Sequence, residues 1–180
     1  MSDAKDRFHR LVEQLEKLAD PRNPNRAVLA YLRRGLGGDS TQALMRAGWL
    51  FVSFRDRDEE DAAILTAALF AWAKGKCSNL ASTSLGRAFA QLPGAGDNPS
   101  IERRFVDLLD TDRAEVDVKL RQVISLLAQH SIGLDWAILG RDILRWDLPD
   151  RWVQKQWARD FWRSAVSEPE SSPSTETTDA

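Results

Sequence analysis

Apolar residues recur at intervals of three and four along almost the whole chain of 180 residues. The first example is one helical face carrying Phe8, Leu11, Val12, Leu15 and Leu18. No segment shows the sustained alternation of apolar and polar residues, rich in β-branched side chains, that is typical of strands. The pattern therefore predicts an all-α protein.

The clearest break in this pattern is the Pro- and Gly-rich segment at residues 93–97. We expect two small helical bundles, an N-terminal domain at residues 1–93 and a C-terminal domain at residues 98–166, joined by this Pro/Gly linker. Residues 167–180 contain Ser, Thr, Pro and acidic residues but no large apolar residue. Such a composition cannot bury a core, so it predicts a disordered acidic tail.

Capping residues predict where several helices begin. Asn98 followed by Pro99 is a typical cap and first position, and Asp135 is a typical cap for the helix that follows it. By the same reasoning, further helices are predicted to begin at Asn23 with Pro24, at Asp112 with Glu115 as a capping-box partner, and at Pro149.

The cysteine and histidine content excludes several protein classes. One cysteine, Cys77, and two histidines cannot form a disulfide framework or a zinc finger, and so few thiols fit a reducing cytoplasm. The N-terminus lacks the apolar region of a secretory signal. The longest apolar run, residues 62–73, is too short to cross a bilayer, so we expect a cytoplasmic protein without a membrane partner.

Candidate catalytic groups are few. Asp107, Asp110 and Asp112 resemble a carboxylate metal cluster, but their positions near a helix start favour capping and solvation. The two histidines lack a nucleophile pattern, and no glycine cluster follows a strand or carries a phosphate-loop Lys. We therefore expect no catalytic residue, no metal and no cofactor. The seven tryptophans are expected in the core or at interfaces rather than as stacking platforms for bases, with Trp152 and Trp162 as candidates for contacts between subunits.

Charge distribution is more informative than net charge. The chain carries 25 Lys and Arg against 27 Asp and Glu, a formal charge of −2, which by itself argues against a nucleic-acid partner. However, 19 of the cations are arginine, the side chain that pairs two phosphate oxygens at once. Residues 22–55 hold six arginines and one acid, a local charge of +5. Taken alone, this segregation is more typical of solvated helix faces with i,i+4 ion pairs, and the alternative is a phosphate-binding surface.

Several segments between residues 83 and 161 together resemble a known family. They are Thr83-Ser84-Leu85-Gly86-Arg87-Ala88, Ser100-Ile101-Glu102-Arg103-Arg104-Phe105, Asp112-Arg113, Leu120-Arg121, Leu134-Asp135-Trp136 and Trp157-Ala158-Arg159-Asp160-Phe161. In order and spacing they resemble the CasB family, the small subunits of the type I-E CRISPR Cascade surveillance complex. Leu32-Arg33-Arg34 is a weaker match in the N-terminal half.

The resemblance implies a two-domain, all-helical protein without catalytic activity that is present in two copies in an RNA-guided complex. Its implied partners are the backbone and large subunits, a second copy of itself, the guide RNA and the target DNA. The implied role is to hold the target strand and the displaced strand of an R-loop. Forming an R-loop replaces one duplex with another of nearly equal stability, so protein contacts can shift the equilibrium. The alternative is a helical scaffold that only bridges protein subunits.

The family segments also imply nucleic-acid-binding residues: Arg87, Arg103, Arg104 and Arg121. Charge clustering and a loose family match add Arg33, Arg34, Lys74 and Lys76. Arg104 has an alternative structural role, because Asp107 and Asp110 lie within pairing distance on a helix. The acids interleaved with Arg141, Arg145, Arg159 and Arg163 predict internal ion pairs for these four arginines.

Overall fold

A computed structural model describes residues 2–37 and 40–166 of the chain. In these ranges there are nine α-helices and no strand, which confirms the all-α fold class. The helices are α1 (Ser2–Leu18), α2 (Arg26–Arg34), α3 (Ser40–Ala47), α4 (Arg57–Ala73), α5 (Leu85–Ala90), α6 (Pro99–Leu109), α7 (Val116–Gln129), α8 (Trp136–Leu144) and α9 (Trp152–Val166). The predicted tail at residues 167–180 lies outside the described residues.

Helix α4 is the centre of the fold. Nearly all of its side chains from Ala62 to Ala73 are buried, and it packs against α1, α2, α7 and α8. A helix that is apolar on all sides must be covered on all sides, and the many alanines of α4 let its neighbours approach closely. Helix α1 lies across α8, where a Cβ at Gly140 would overlap the ring of Phe8.

The second packing centre joins α5, α6 and α9. The rings of Phe89 and Phe105 stack with centroids 4.9 Å apart, and Phe161 lies 4.8 Å from Phe105. Gly86 on α5 is so close to α9 that a Cβ would lie 2.9 Å from the Cα of Trp157. Helix α5, in the predicted N-terminal domain, thus packs on α9, in the predicted C-terminal domain, and the division into two domains stays a prediction.

Two of the five helix starts predicted from capping residues are confirmed and three are wrong. Asn98 and Asp135 cap α6 and α8 through their side chains. The second helix is capped by Asn25 rather than Asn23, and its position is fixed by a hydrogen bond from the Asn25 N–H to the Leu18 carbonyl at 2.8 Å. The other two wrong predictions concern α7 and α9.

Helix α7 begins at Val116 after Glu115, which makes no side-chain capping bond, so the capping box predicted at Asp112 is absent from this described segment. Helix α9 begins at Trp152 rather than at Pro149. Arg151 has φ 52°, a left-handed conformation that interrupts any helix running from Pro149. At the start of α9 the Arg151 side chain also donates to the Leu109 carbonyl of α6, a tertiary contact that local sequence does not show.

The tryptophans divide almost evenly between the core and the surface. Trp136, Trp146 and Trp157 are fully buried, as predicted. Trp49, Trp72, Trp152 and Trp162 are exposed. Trp152 and Trp162 are the two candidates for contacts between subunits, and Trp49 and Trp72 are further exposed tryptophans that the sequence did not single out. These four are available for contacts with other molecules.

Candidate nucleic-acid interface

The groove between α2 and the end of α4 collects positive charge. It encloses about 350 Å³ and is lined by Arg26, Arg33 and Lys74 together with apolar residues that include Leu29 and Phe70. No Asp or Glu from the described part of the chain lines it. Three cations around one groove without a neutralising acid are typical of an anion-binding surface. We call it the α2–α4 groove.

Local structure explains how the cations of the α2–α4 groove come together. Arg26 and Arg33 are seven residues apart, two helical turns, so they lie on the same face of α2. Lys74 ends α4 in the left-handed conformation, with φ 52°, at the point where the chain turns away from the helix. Lys76 is exposed two residues further on, and its backbone N–H is bonded to the Ala73 carbonyl.

Arg34 lies beside a second arginine at the ring of Tyr31. The guanidinium carbons of Arg34 and Arg46 are 5.5 and 5.6 Å from the centre of this ring, within the range of a cation–π contact. Both arginines are exposed. The contacts concentrate positive charge where α2 meets α3, next to the α2–α4 groove along the same helix.

Arg121 joins α7 to the end of α4. Its guanidinium carbon lies 5.6 Å from the ring centre of Trp72, and the Trp72 indole N–H donates to the Ser125 hydroxyl at 2.8 Å. Trp72 precedes Lys74 by two residues, so the contact brings a cation from the second half of the chain to the basic end of α4. A contact of this kind stabilises one position of the guanidinium by about 0.5–1 kcal/mol.

Arg103 and Arg104 lie on the exposed side of α6. Arg104 lines a groove of about 360 Å³ between α6 and α7, together with Asp107, Lys119 and Gln122. Among the described residues, no ion pair within 4 Å joins Arg104 to Asp107 or Asp110. The alternative structural role considered for Arg104 is therefore not seen.

Arg87 takes part in a network between α5 and α9. Its Nε lies 3.8 Å from Asp160 Oδ1, and its Nη1 donates to the Ser82 carbonyl at 3.2 Å. Asp160 is buried and also accepts hydrogen bonds from Ser84 and Gln156. About half of the Arg87 side chain is exposed, so the residue both supports the helix contact and presents charge to solvent.

Three other features of the described residues concern a metal site, a reactive thiol and a membrane span. Within the described ranges, no group of three His, Cys, Asp or Glu is placed to hold a metal ion. Burial raises the pKa of the Cys77 thiol to about 11, so the residue stays protonated and unreactive at neutral pH. None of the described helices is long and apolar enough to cross a membrane.

Of the eight predicted binding residues, Arg33 and Lys74 line a common groove, Arg121 lies near the end of α4, and Arg87, Arg103 and Arg104 lie on α5 and α6. Arg26 lines the same groove but is not among the eight predicted residues. The sequence signal that could have identified Arg26 is its seven-residue spacing from Arg33 within the segment of charge +5.

The chain is similar in sequence to a known protein family. The sequence model of the family described as CRISPR-associated protein Cse2 matches residues 28–162. The chain belongs to the Cse2 family. Its match to CRISPR-associated protein Cse2 from Thermus thermophilus is 37% identical over 114 residues and spans 63% of each chain.

Solved structures agree with membership of the Cse2 family. CasB from Thermus thermophilus superposes with a TM-score of 0.73 at 31% identity, covering 87% of this chain and 97% of that one. A chain of a CRISPR RNA-guided surveillance complex in a pre-nicking state gives a TM-score of 0.69 at 25% identity, covering 90% and 95%. The Cse2 family match includes all eight predicted binding residues, whereas Arg26 lies just before it.

Proposed function

We propose that this chain is a non-enzymatic subunit of a type I-E CRISPR Cascade surveillance complex that binds nucleic-acid backbone and stabilises the R-loop. The α2–α4 groove is the observation that carries the proposal, because Arg26, Arg33 and Lys74 line it without an acid. Membership of the Cse2 family, and the likeness to a chain of an RNA-guided surveillance complex, support the assignment to such a complex.

The chemistry of the groove suits backbone contact rather than base reading. Arginine and lysine bind phosphate oxygens without regard to sequence, and such contacts position nucleic acid but do not specify it. An R-loop exchanges one duplex for another of nearly equal stability, so a few phosphate contacts are enough to shift the balance. A subunit of this kind needs no catalytic group.

The proposed partners are those implied by the family: the backbone and large subunits of the complex, a second copy of this chain, the guide RNA and the target DNA. The proposed nucleic-acid residues are the predicted eight, Arg33, Arg34, Lys74, Lys76, Arg87, Arg103, Arg104 and Arg121, with Arg26 added. We expect the protein to act in the cytoplasm, because its cysteine usage fits a reducing compartment.

The test is charge neutralisation in the α2–α4 groove. Replacing Arg26, Arg33 and Lys74 with Gln should weaken binding of the purified protein to DNA and RNA. The slope of log affinity against log salt should fall by about 0.7 to 0.9 for each cation–phosphate pair that the substitutions abolish. Binding is measured by fluorescence anisotropy with labelled oligonucleotides across a salt series.

A matched control variant removes the same number of positive charges from a surface outside the groove. Arg10, Lys17 and Arg57 are exposed cations on α1 and at the start of α4, where acids such as Glu13 and Asp61 surround them. Replacing these three with Gln should leave the affinity and the salt slope near wild type. Equal weakening in the two triple variants would mean that net charge alone drives binding, and the groove would not have its assigned role.

A scaffold without a nucleic-acid role is the second candidate, and one surface favours it. Met45, Trp49 and Val52 are 79%, 51% and 82% exposed, and all three lie in one short segment around the end of α3. Exposed apolar residues in such a group are typical of protein contacts. The scaffold model predicts that the groove variant assembles into the complex and retains target DNA as well as wild type does.

A further inference from the structure

The outer face of α9 has an unusual composition. Every side chain of this helix that is described as exposed is a tryptophan or a cation: Trp152, Lys155, Arg159, Trp162 and Arg163. At 100° per residue these positions fall within an arc of about 100°, so they form one continuous stripe along the helix. We call it the α9 stripe. Trp152 and Trp162 stand at its two ends, about 15 Å apart along the helix axis.

The acids near the α9 stripe point elsewhere or lie beyond it. Asp160 is buried on the inner face, where it accepts hydrogen bonds from Ser84 and Gln156 and pairs with Arg87. Asp150 precedes the helix, and its carboxylate accepts a hydrogen bond from the backbone N–H of Trp152. In the described ranges no ion pair within 4 Å involves Lys155 or Arg159, contrary to the internal pairing predicted for Arg159.

The two tryptophans present their rings to solvent. Trp152 is 42% exposed and Trp162 is 45% exposed. The ring of Phe161 meets that of Trp162 edge-on at 5.1 Å, which restricts the motion of the indole and leaves its other surface accessible. An aromatic ring that is held in place loses little entropy when a flat ligand stacks on it.

Exposed aromatic rings with cations between them match the chemistry of single-stranded nucleic acid. Unpaired bases stack on aromatic side chains while the phosphates between them contact Lys and Arg. The two tryptophans are about 15 Å apart along the helix axis, several times the ~3.4 Å rise between neighbouring bases of a stacked strand, so we expect each ring to receive a different base. A protein partner fits less well, because the centre of a protein interface is depleted of charge, whereas the centre of the α9 stripe is charged.

We propose that the α9 stripe is a second nucleic-acid site, specific for single strands, in which bases stack on Trp152 and Trp162 and the intervening phosphates contact Lys155 and Arg159. The proposal rests on the proposed function and adds to it a ligand form and a location separate from the α2–α4 groove. Duplex DNA does not use this site, because its bases are already stacked and paired.

The test compares the full chain with its Trp152→Ala/Trp162→Ala variant in binding to an oligothymidylate and to a duplex of the same length. Each base that can no longer stack should weaken single-strand binding about five-fold or more, without changing the salt slope, and duplex binding should stay at the wild-type level. Trp152→Phe/Trp162→Phe should restore most of the affinity. Trp49→Ala, which removes an exposed tryptophan from another surface, is the matched control.

A cation variant tests the other half of the site. Lys155→Gln/Arg159→Gln should lower the salt slope for the oligothymidylate by about 0.7 for each cation–phosphate pair that it abolishes. Unchanged single-strand binding in the Trp152→Ala/Trp162→Ala variant overturns the proposal. If that variant instead changes the molecular mass of the protein in solution while binding the oligothymidylate normally, the α9 stripe is a contact between copies and the proposal is equally overturned.

Failure of this inference is distinguishable from failure of the proposed function. If the α2–α4 groove variant loses binding while the α9 variants do not, only the second site is rejected. If the wild-type chain binds neither single strands nor duplex, the nucleic-acid role itself is rejected.

Discussion

The indole Nε1 of Trp157 donates a hydrogen bond to Oδ2 of Asp142 at 2.7 Å in the protein interior. The bond links α9 to α8 between two buried residues. Burial raises the pKa of Asp142 to about 6, although the Trp157 N–H and the charges of Arg141 and Arg145 favour the ionised form. A carboxyl group that is hard to ionise therefore lies under the helix that carries the α9 stripe.

This raised pKa predicts that the contribution of Asp142 to stability decreases with rising pH. Below the unfolded value of 3.8 both states are protonated and the contribution is fully present. Between that value and about 6 the unfolded chain releases its proton first, so stability falls by roughly 3 kcal/mol. Urea unfolding of wild type and Asp142→Asn at pH 4 and pH 7 measures this loss of stability. The free energy of unfolding of the variant, relative to that of wild type, should be higher at pH 7 than at pH 4. A relative stability that does not change with pH would contradict the prediction.

The contact of Gly86 with Trp157 predicts a strict size limit. Gly86→Ala places a Cβ 2.9 Å from the Trp157 Cα, so α5 and α9 must separate. We expect destabilisation of about 1–3 kcal/mol, equivalent to a fall in Tm of several degrees for a chain of this size. Gly48→Ala is the control, because no heavy atom lies within 4 Å of its added Cβ. Thermal unfolding that does not distinguish the two variants would show that the helix contact is loose.

The buried ion pair between Arg7 and Glu59 predicts non-additive effects. Arg7 Nη2 and Glu59 Oε1 are 2.5 Å apart, and Glu59 Oε2 also accepts the Arg55 N–H. Glu59→Leu removes the buried carboxylate that both the Arg7 guanidinium and the Arg55 N–H contact, which should cost about 3–5 kcal/mol. The double variant Arg7→Met/Glu59→Leu should recover much of this stability. A denaturant double-mutant cycle measures the coupling, and additive effects would indicate that the pair is not coupled in solution.

The exposed pair Arg103 and Arg104 predicts an effect on binding without an effect on folding. Replacing both with Ala should lower the salt slope of DNA binding by about 0.7 to 0.9 for each cation–phosphate pair that is abolished, with Tm unchanged. Arg87→Gln should also lower Tm slightly, because Arg87 pairs with Asp160 and bonds Ser82. Anisotropy titrations and thermal unfolding of both variants separate the two roles. An unchanged slope for Arg103→Ala/Arg104→Ala would remove these residues from the site.

Features that depend on nearby residues were predictable from the sequence. The caps at Asn98 and Asp135 were found because the hydrogen bond from a capping side chain reaches only two or three residues along the chain. The start of α2 at Asn25 was not found, because the Leu18 carbonyl that fixes it belongs to another helix. A cap is therefore predictable only where no tertiary contact competes with it.

The candidate site was predictable in its residue types and only partly in its grouping. The excess of arginine in residues 22–55 indicated a basic surface, and Arg33 and Lys74 do line one groove. The stacking of Arg121 on Trp72 was not predictable, because these residues are far apart in sequence and belong to different helices. Trp152 and Trp162 were candidates for surface contacts from the sequence, but their alignment with Lys155 and Arg159 in one exposed stripe became visible only when the buried face of α9 was known.

The sequence by itself determined the all-helical fold, the family resemblance and the abundance of arginine, because helical periodicity and short motifs are local properties of a chain. Only the tertiary structure decided which cations share a groove, which arginine is engaged by a buried acid, and which tryptophans face solvent. The physical reason is that a helix fixes the direction of each side chain relative to its own axis, whereas charge, burial and access at a site depend on how separate helices pack against one another.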